Sequence, residues 1–297
     1  MKVFITGATG FVGSAVVKEL ISAGHDVLGL VRSEAGAKAI KEAGAQAHYG
    51  DLEDLGSLRK GAEGVDAVIH TGFNHDFSKF KLNCENDRKV IQALGDVLVG
   101  SERPLVITSA IGLLPRGRLV NELDRPVAGP NPRIASEEAA DTVVARGVKA
   151  SLVRLPPSVH GEGDHGFISM LIKIAREKGI SVYEGERLNY WPAVHRLDAA
   201  RLYRLAVEKA APAGIRYHSV GEEGILFRQI AETIGKKLNI PVVSKSTEEA
   251  AAHFTWFAHF AAMDIRASGA ATQEMLGWHP VQSGLIADME EDHYFKD

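Results

Sequence analysis

Along the first half of the chain, short apolar runs rich in Val, Ile and Leu alternate with stretches whose apolar residues recur at helical spacing. Strands are predicted near 2–6, 26–31, 46–49, 66–70, 104–108 and 150–155, with helices between them. Such alternation makes βαβ units, and it predicts an α/β chain with a doubly wound parallel sheet. The strand cores, such as Val68-Ile69 and Leu105-Val106-Ile107, are apolar on both faces, as expected where helices cover both sides. After Arg154 the pattern changes to Pro156-Pro157, a glycine-rich loop from Gly161 to Gly166, and helices broken by short strand-like pieces. The expected organisation is a main body over 1–155 and a smaller mixed α/β part over 156–297. Segments near 194–220 are expected to return to the main sheet.

A chain of 297 residues at 45% hydrophobic composition can bury a full core. A net charge of -4, a pI near 6.3 and scattered Lys and Arg argue against nucleic acid as a partner. Cys84 is the single cysteine, so an internal disulfide and a thiolate metal cage are excluded and a reducing, cytoplasmic compartment is expected. Met1 and Lys2 lead straight into the apolar run Val3 to Ile5, so no secretory leader is expected, and no run is long and apolar enough to predict a membrane span. Twelve histidines invite a metal site, but no His-Glu-x-x-His spacing occurs. His160, Asp164 and His165 form only a loose cluster, and no metal is expected.

Thr6-Gly7-Ala8-Thr9-Gly10-Phe11-Val12-Gly13 follows the first strand and opens a helix to about Ala23. Gly7 suits the tight turn, Gly10 the close approach of a pyrophosphate, and Gly13 helix–strand contact. The helix N-terminus adds free N–H groups and a favourable dipole. Gly7, Thr9, Gly10, Phe11, Val12 and Gly13 are thus the candidate cradle of a dinucleotide on a Rossmann-type sheet, with the part after 155 binding substrate. At the end of the second strand stand Val31-Arg32-Ser33, where a carboxylate would select NAD(H). Arg32 offers a fork to a 2′-phosphate and Ser33 a hydroxyl, so NADP(H) is preferred over NAD(H). The alternative for Arg32 is a solvated surface arginine. Asp51 and Leu52 are placed at the adenine edge, Asp51 having an alternative as the N-cap of a helix starting near Glu53. Thr71-Gly72-Phe73 ends the fourth strand, where a slim segment can pass beneath the cofactor.

Together these residues resemble the extended branch of the short-chain dehydrogenase/reductase superfamily, which includes the NAD-dependent epimerase/dehydratase family. Asn83-Cys84-Glu85-Asn86-Asp87 takes the place of its Asn-x-x-Gly-Thr segment, and Thr108-Ser109-Ala110 that of its catalytic-serine strand end. Arg154-Leu155-Pro156 matches its Arg-x-Pro stretch, and Val194-His195-Arg196-Leu197-Asp198 its Val-His-x-x-Asp element. The resemblance implies cofactor contacts at Asn83, Leu155, Pro156 and Ser158. It also implies a Tyr-x-x-x-Lys pair, yet no Tyr in this chain has Lys four residues later. On the helix expected over Pro132 to Arg146 the matching positions read Arg133-Ile134-Ala135-Ser136-Glu137, so the chain resembles an atypical subgroup.

What replaces the pair is argued from chemistry. Arg133 is a poor proton donor but can polarise a carbonyl or bind a carboxylate. Glu137, one turn on, can accept from ribose hydroxyls, the alternative being an i,i+4 surface ion pair between the two. Ser109 is placed to hydrogen-bond a substrate oxygen, with a plain strand end as the alternative. His160 is the first candidate for general acid and His165 the second, since imidazole titrates near neutrality; solvent-exposed loop histidines are the alternative. Trp191-Pro192-Ala193 is a candidate pocket wall suggesting a partly apolar, cyclic or aromatic substrate, whereas His253-Phe254-Thr255-Trp256-Phe257 reads as core or cap packing. The expected function is NADP(H)-dependent hydride transfer on a small carbonyl or alcohol substrate. An epimerase or dehydratase with transient redox use of the cofactor and a non-catalytic NADP(H)-sensing regulator are the rivals. Helices near 79–100 and 132–146 resemble those of dimer bundles in related proteins, which leaves a homodimer open.

Overall fold

The computed structural model describes residues 1–296 except 128, 130, 186, 187 and 210. Its centre is a seven-stranded sheet in which every pairing is parallel. Five of its strands are β1 (Lys2–Thr6), β2 (Asp26–Val31), β3 (Gln46–Tyr49), β4 (Ala67–His70) and β5 (Pro104–Ala110). Across the sheet the order is Arg216–His218, Lys149–Leu155, β5, β4, β1, β2, β3. The interior runs are apolar because both faces are covered: Val68, Ile69, Leu105, Val106 and Ile107 are all fully buried. The helices over those faces include α1 (Phe11–Ser22), α2 (Glu34–Glu42), α3 (Leu55–Ala62), α4 (Phe80–Leu98) and α5 (Ala135–Ala145).

The chain winds outward from β1 through β2 to β3, then returns to the other side of β1 as β4. This reversal makes a crevice at the carboxyl ends of β1 and β4, where open α/β sheets bind ligands. β5 is longer than β4: His70 is level with Ile107, and Thr108, Ser109 and Ala110 extend beyond it. These residues therefore project toward the crevice.

Of the segments expected to return, Arg216–His218 joins the main sheet as its edge, beside Leu152, Val153 and Arg154. The strand Tyr190–His195 instead pairs with Ser158–His160 and Glu222–Leu226 in a separate three-stranded sheet. α6 (Phe167–Lys178) belongs to a second apolar core built around Trp191, Phe227 and Phe257. α7 (Arg196–Glu208) packs back onto the first core, where Leu202 and Tyr203 meet the residues of α1. Among the described residues no helix is long and apolar enough to cross a membrane.

Candidate active site

The carboxyl ends of β1, β4 and β5 open into a cavity of about 670 Å³ that lies between the two cores. Gly7 turns the chain there with φ 70°, and a Cβ on it would stand 2.6 Å from the Gly72 amide nitrogen. A Cβ on Gly13 would come within 2.0 Å of the Gly7 carbonyl oxygen, so only glycine allows α1 to start this close to the strand. Gly10 heads α1 with no side-chain cap, which keeps the first-turn N–H groups available to an anion. Thr9, Phe11 and Val12 stand on the same wall. A slim turn closed by glycines under an uncapped twelve-residue helix fits a dinucleotide diphosphate.

At the end of β2, Arg32 lines the cavity with its side chain 77% exposed and 3.9 Å from Asp51. So open a pair holds the guanidinium only weakly, leaving it able to turn to a ligand. Ser33 is off the wall and caps α2, its Oγ accepting the Gly36 amide at 3.2 Å. Asp51 is not the helix cap: Asp54 caps α3, accepting from Gly56 and Ser57, while Asp51 Oδ1 accepts from Glu53 N at 2.9 Å. Leu52 is on the wall; Asp51 is not. Thr71 and Gly72 are tied to β1, since Thr71 Oγ1 donates to the Thr6 carbonyl and the Gly72 amide donates to Thr6 Oγ1.

Around β5 the structure gathers charged groups the sequence scatters. Pro132–Ile134 forms a 3-10 turn, with Asn131 accepting from the Arg133 amide, and α5 starts only at Ala135. The helix expected over 132–146 is thus broken at its start, and Arg133 and Glu137 do not pair. Arg133 Nη1 donates to Asp87 at 2.8 Å and Nη2 to the Thr108 carbonyl at 3.3 Å, and the guanidinium lies 4.2 Å from the Phe73 ring centre. Ser136 bridges the same pair, accepting from Arg133 and donating to Asp87. Asp87 also meets His70 Nε2 at 2.9 Å, and His70 Nδ1 meets Thr6 Oγ1 at 2.6 Å. Burial opposes the charge on Asp87, but the Arg133 charge and the hydrogen bonds from His70 and Ser136 outweigh it and hold the carboxyl below its usual range. A buried chain of polar contacts therefore joins the end of β1 to Arg133 on the cavity wall.

Ser109 also lines the cavity, but its hydroxyl donates to Glu137 Oε1 at 2.8 Å. Glu137 is buried behind the wall and does not reach it. Its carboxylate accepts from Arg154 at 2.7 and 2.8 Å and from Arg216 at 3.1 Å. Burial disfavours the charge there, and the bonds from Arg154, Ser109 and Arg216 more than compensate, so the pKa is lowered. Glu137 therefore serves a buried ion cluster and is not positioned to accept from a ribose.

His160 is likewise behind the wall. Its strand pairs with Tyr190–His195, and its Nδ1 lies 2.8 Å from Asp288, so it is a buried core histidine rather than a group facing the cavity. Asp164 and His165, from the following loop, do line the cavity. So do Leu155 and Pro156, whereas Ser158 is buried away from it. Asn83 is also off the wall: its Nδ2 donates to the Asp76 carbonyl at 2.9 Å and fastens the loop carrying His75 and Phe77. Trp191 is fully buried in the second core and is no pocket wall; Phe77, Phe80, Phe167 and Phe260 take that place. No sequence motif marks these phenylalanines or the Asp87–Arg133 pair, because each contact joins segments far apart in the chain. Among the described residues no three His, Cys, Asp or Glu side chains form a group able to hold a metal ion.

A family model described as NAD(P)H-binding matches residues 7–170, more than half of the chain. An uncharacterized protein of Schizosaccharomyces pombe is 49% identical over 99% of this chain and 100% of its own length. A 4-hydroxy-2-methyl-3-oxo-4-farnesyl-3,4-dihydroquinoline-1-oxide ketoreductase of Stigmatella aurantiaca is 27% identical over 85% of this chain and 79% of its own. The solved UDP-N-acetylglucosamine 4-epimerase from Bacillus cereus superposes with a TM-score of 0.76 at 15% identity, covering 99% of this chain and 95% of that one. With the glycine cradle at the switch point of a seven-stranded parallel sheet, the family match shows that the chain belongs to the NAD(P)H-binding family.

Proposed function

We propose that this chain is an oxidoreductase that uses NADP(H) to exchange a hydride with a small carbonyl or alcohol substrate, without the Tyr and Lys of its superfamily. The observation that carries this reading is Arg133, a guanidinium held by buried Asp87 on the cavity wall at the carboxyl end of β5. The Gly7–Gly13 turn holds the diphosphate, and Arg32 pairs with the 2′-phosphate. When bound, the nicotinamide supplies or takes the hydride. Arg133 has five N–H donors, of which three go to Asp87, Ser136 and Thr108 among the described residues. The others donate to the substrate oxygen and stabilise negative charge growing on it, and the proton that completes the alcohol (or leaves it in the reverse direction) passes between substrate and solvent by way of His165, which also lines the cavity. Ser109, its own proton held by Glu137, accepts from a substrate hydroxyl and so orients the alcohol form.

Asp87 and Phe73 are positioning residues: one fixes the guanidinium by charge, the other by stacking beneath it. Arg133→Met is expected to lower kcat for NADPH-dependent ketone reduction about 100- to 1,000-fold, the cost of losing one preorganised donor, with NADPH affinity nearly unchanged. Arg133→Lys, which keeps charge but loses the planar fork, falls between the two. Wild-type turnover in Arg133→Met overturns the assignment. Substrate conversion with no net NADPH consumption would replace it with epimerase or dehydratase chemistry.

A further inference from the structure

Beyond Arg133 the cavity continues into a wall of aromatic side chains drawn from three separate segments. Phe73 lies under the guanidinium, and its ring centre is 6.3 Å from that of Phe80. Phe80 is 5.7 Å from Phe77, Phe77 is 5.4 Å from Phe260, and Phe260 is 4.7 Å from Phe167. Met170 and Met263 complete this side of the cavity. Trp256, 55% exposed, has its ring 5.5 Å from that of Phe77. The phenylalanines of this chain of contacts are half-buried rather than sealed in the core, so each keeps part of its ring available to a ligand.

Charge on the wall is sparse. Arg32 and Arg133 are its only Arg or Lys side chains among the described residues. Arg32 stands at the end of β2, on the far side of β1 from β5, and Arg133 is already matched by Asp87. A nucleoside-diphosphate sugar brings two phosphate charges that need cations or clustered donors of their own. The aromatic end has no Arg or Lys among the described residues, its polar lining being amides and imidazoles such as Asn74, His75 and His259. Besides Asp87, the acid on this wall is Asp164, whose pKa is raised, first by burial.

We infer that the substrate is an uncharged carbonyl compound with an aromatic or comparably large apolar body, its oxygen at Arg133 and its body along Phe73, Phe80, Phe77 and Phe260. This rests on the oxidoreductase reading for the reacting oxygen and adds the chemical class of the rest of the molecule. Rings prefer offset or edge-to-face neighbours at the separations found along this wall, so a planar ligand gains both burial and specific contacts. Sugar hydroxyls laid against the phenylalanine faces would lose water there without a hydrogen bond in return.

The test uses prodan, a dimethylaminonaphthyl ethyl ketone whose emission moves to shorter wavelength in apolar surroundings, titrated into the full-length protein saturated with NADP⁺. The oxidised cofactor cannot reduce the ketone, so the readout is binding alone. Saturable binding with a blue shift is expected, weakened about tenfold or more in Phe77→Ser and in Phe260→Ser, as each loses the apolar contact of one ring. Both residues are half-buried, and a thermal melt verifies that each variant is folded. UDP-glucose at millimolar concentration is expected not to displace the probe. Displacement by micromolar UDP-glucose, no saturable binding, or equal binding by wild type and both folded variants overturns the inference. In parallel, NADPH consumption is followed with methylglyoxal and with 2-acetonaphthone. Turnover of methylglyoxal alone, untouched by the two substitutions, leaves the oxidoreductase reading standing and removes the apolar substrate; prodan binding without NADPH consumption on either ketone does the reverse.

Discussion

Arg32 and Arg133 share one cavity wall and differ in how they are held. Arg133 has a side chain 13% exposed and an ionic partner only 3% exposed, whereas Arg32 is bare to solvent. A ligand must therefore fit around Arg133, while Arg32 reorganises around the ligand. From this follows the prediction that Arg32→Ala weakens NADPH binding about 10- to 100-fold, the worth of a hydrogen bond to a charged group, with little change for NADH. Fluorescence titration of both nucleotides checks it, and equal losses would remove the 2′-phosphate assignment. Arg32 was legible from its place at the end of an apolar run. The surroundings of Arg133 were not, because Asp87 lies 46 residues away and nothing local couples the two.

Among elements, the entry to α5 shows where local pattern stops deciding. Pro132 and Asn131 suit a helix start, and the periodicity is helical, so a helix from 132 was the natural expectation. The chain takes a tight 3-10 turn first, which sends Arg133 to the cavity while Glu137 is buried with Arg154 and Arg216. The same cluster binds His218, whose Nε2 accepts from Arg154 at 3.2 Å while Nδ1–H donates to the Ser268 carbonyl at 2.8 Å. Those partners suit a neutral ring. Burial lowers its pKa, and the Arg154 charge adds to this, against opposing influences from Glu122, the Ser268 carbonyl and Glu137. As pH falls below the ordinary value of 6.5, the unfolded chain takes up a proton that the folded ring refuses, so stability falls with acidification. Urea denaturation between about pH 7 and pH 5 should show this as a slope of up to about 1.4 kcal/mol per pH unit. His218→Gln should reduce it, the remainder coming from groups such as His253, whose pKa burial also lowers to about 4, and an unchanged slope would exclude His218 as a cause.

At the scale of the whole molecule the cavity depends on two cores meeting correctly. One core lies over the sheet and contains Val3, Ile5 and Tyr203; the other contains Trp191, Phe227 and Phe257. Tyr294 ties the loop between them, its hydroxyl accepting the Gly161 amide at 3.2 Å and donating to Asp164 Oδ2 at 3.0 Å. Tyr294→Phe is expected to cost about 1–2 kcal/mol, because two groups lose a partner where water has little access. A urea midpoint shift without change in slope measures this. Weaker binding of the naphthyl ketone probe should accompany it, since Asp164 lines the cavity. Unchanged stability and unchanged probe affinity together would show that the tie is idle.

By itself the sequence determined the parallel sheet, its strand limits to within a few residues, and the glycine turn. These follow from period and from sterics within a few positions: a Cβ at Gly13 has nowhere to go once α1 follows β1. Tertiary structure alone decided which charged residues share a space. It set Arg133 on Asp87, withdrew Glu137 and His160 behind the wall, and assembled the aromatic end of the cavity from segments about 180 residues apart, such as those of Phe77 and Phe260. The physical reason is that a buried charge or a ring is placed by whatever neutralises or packs it, and that partner comes from the fold rather than from the neighbouring sequence.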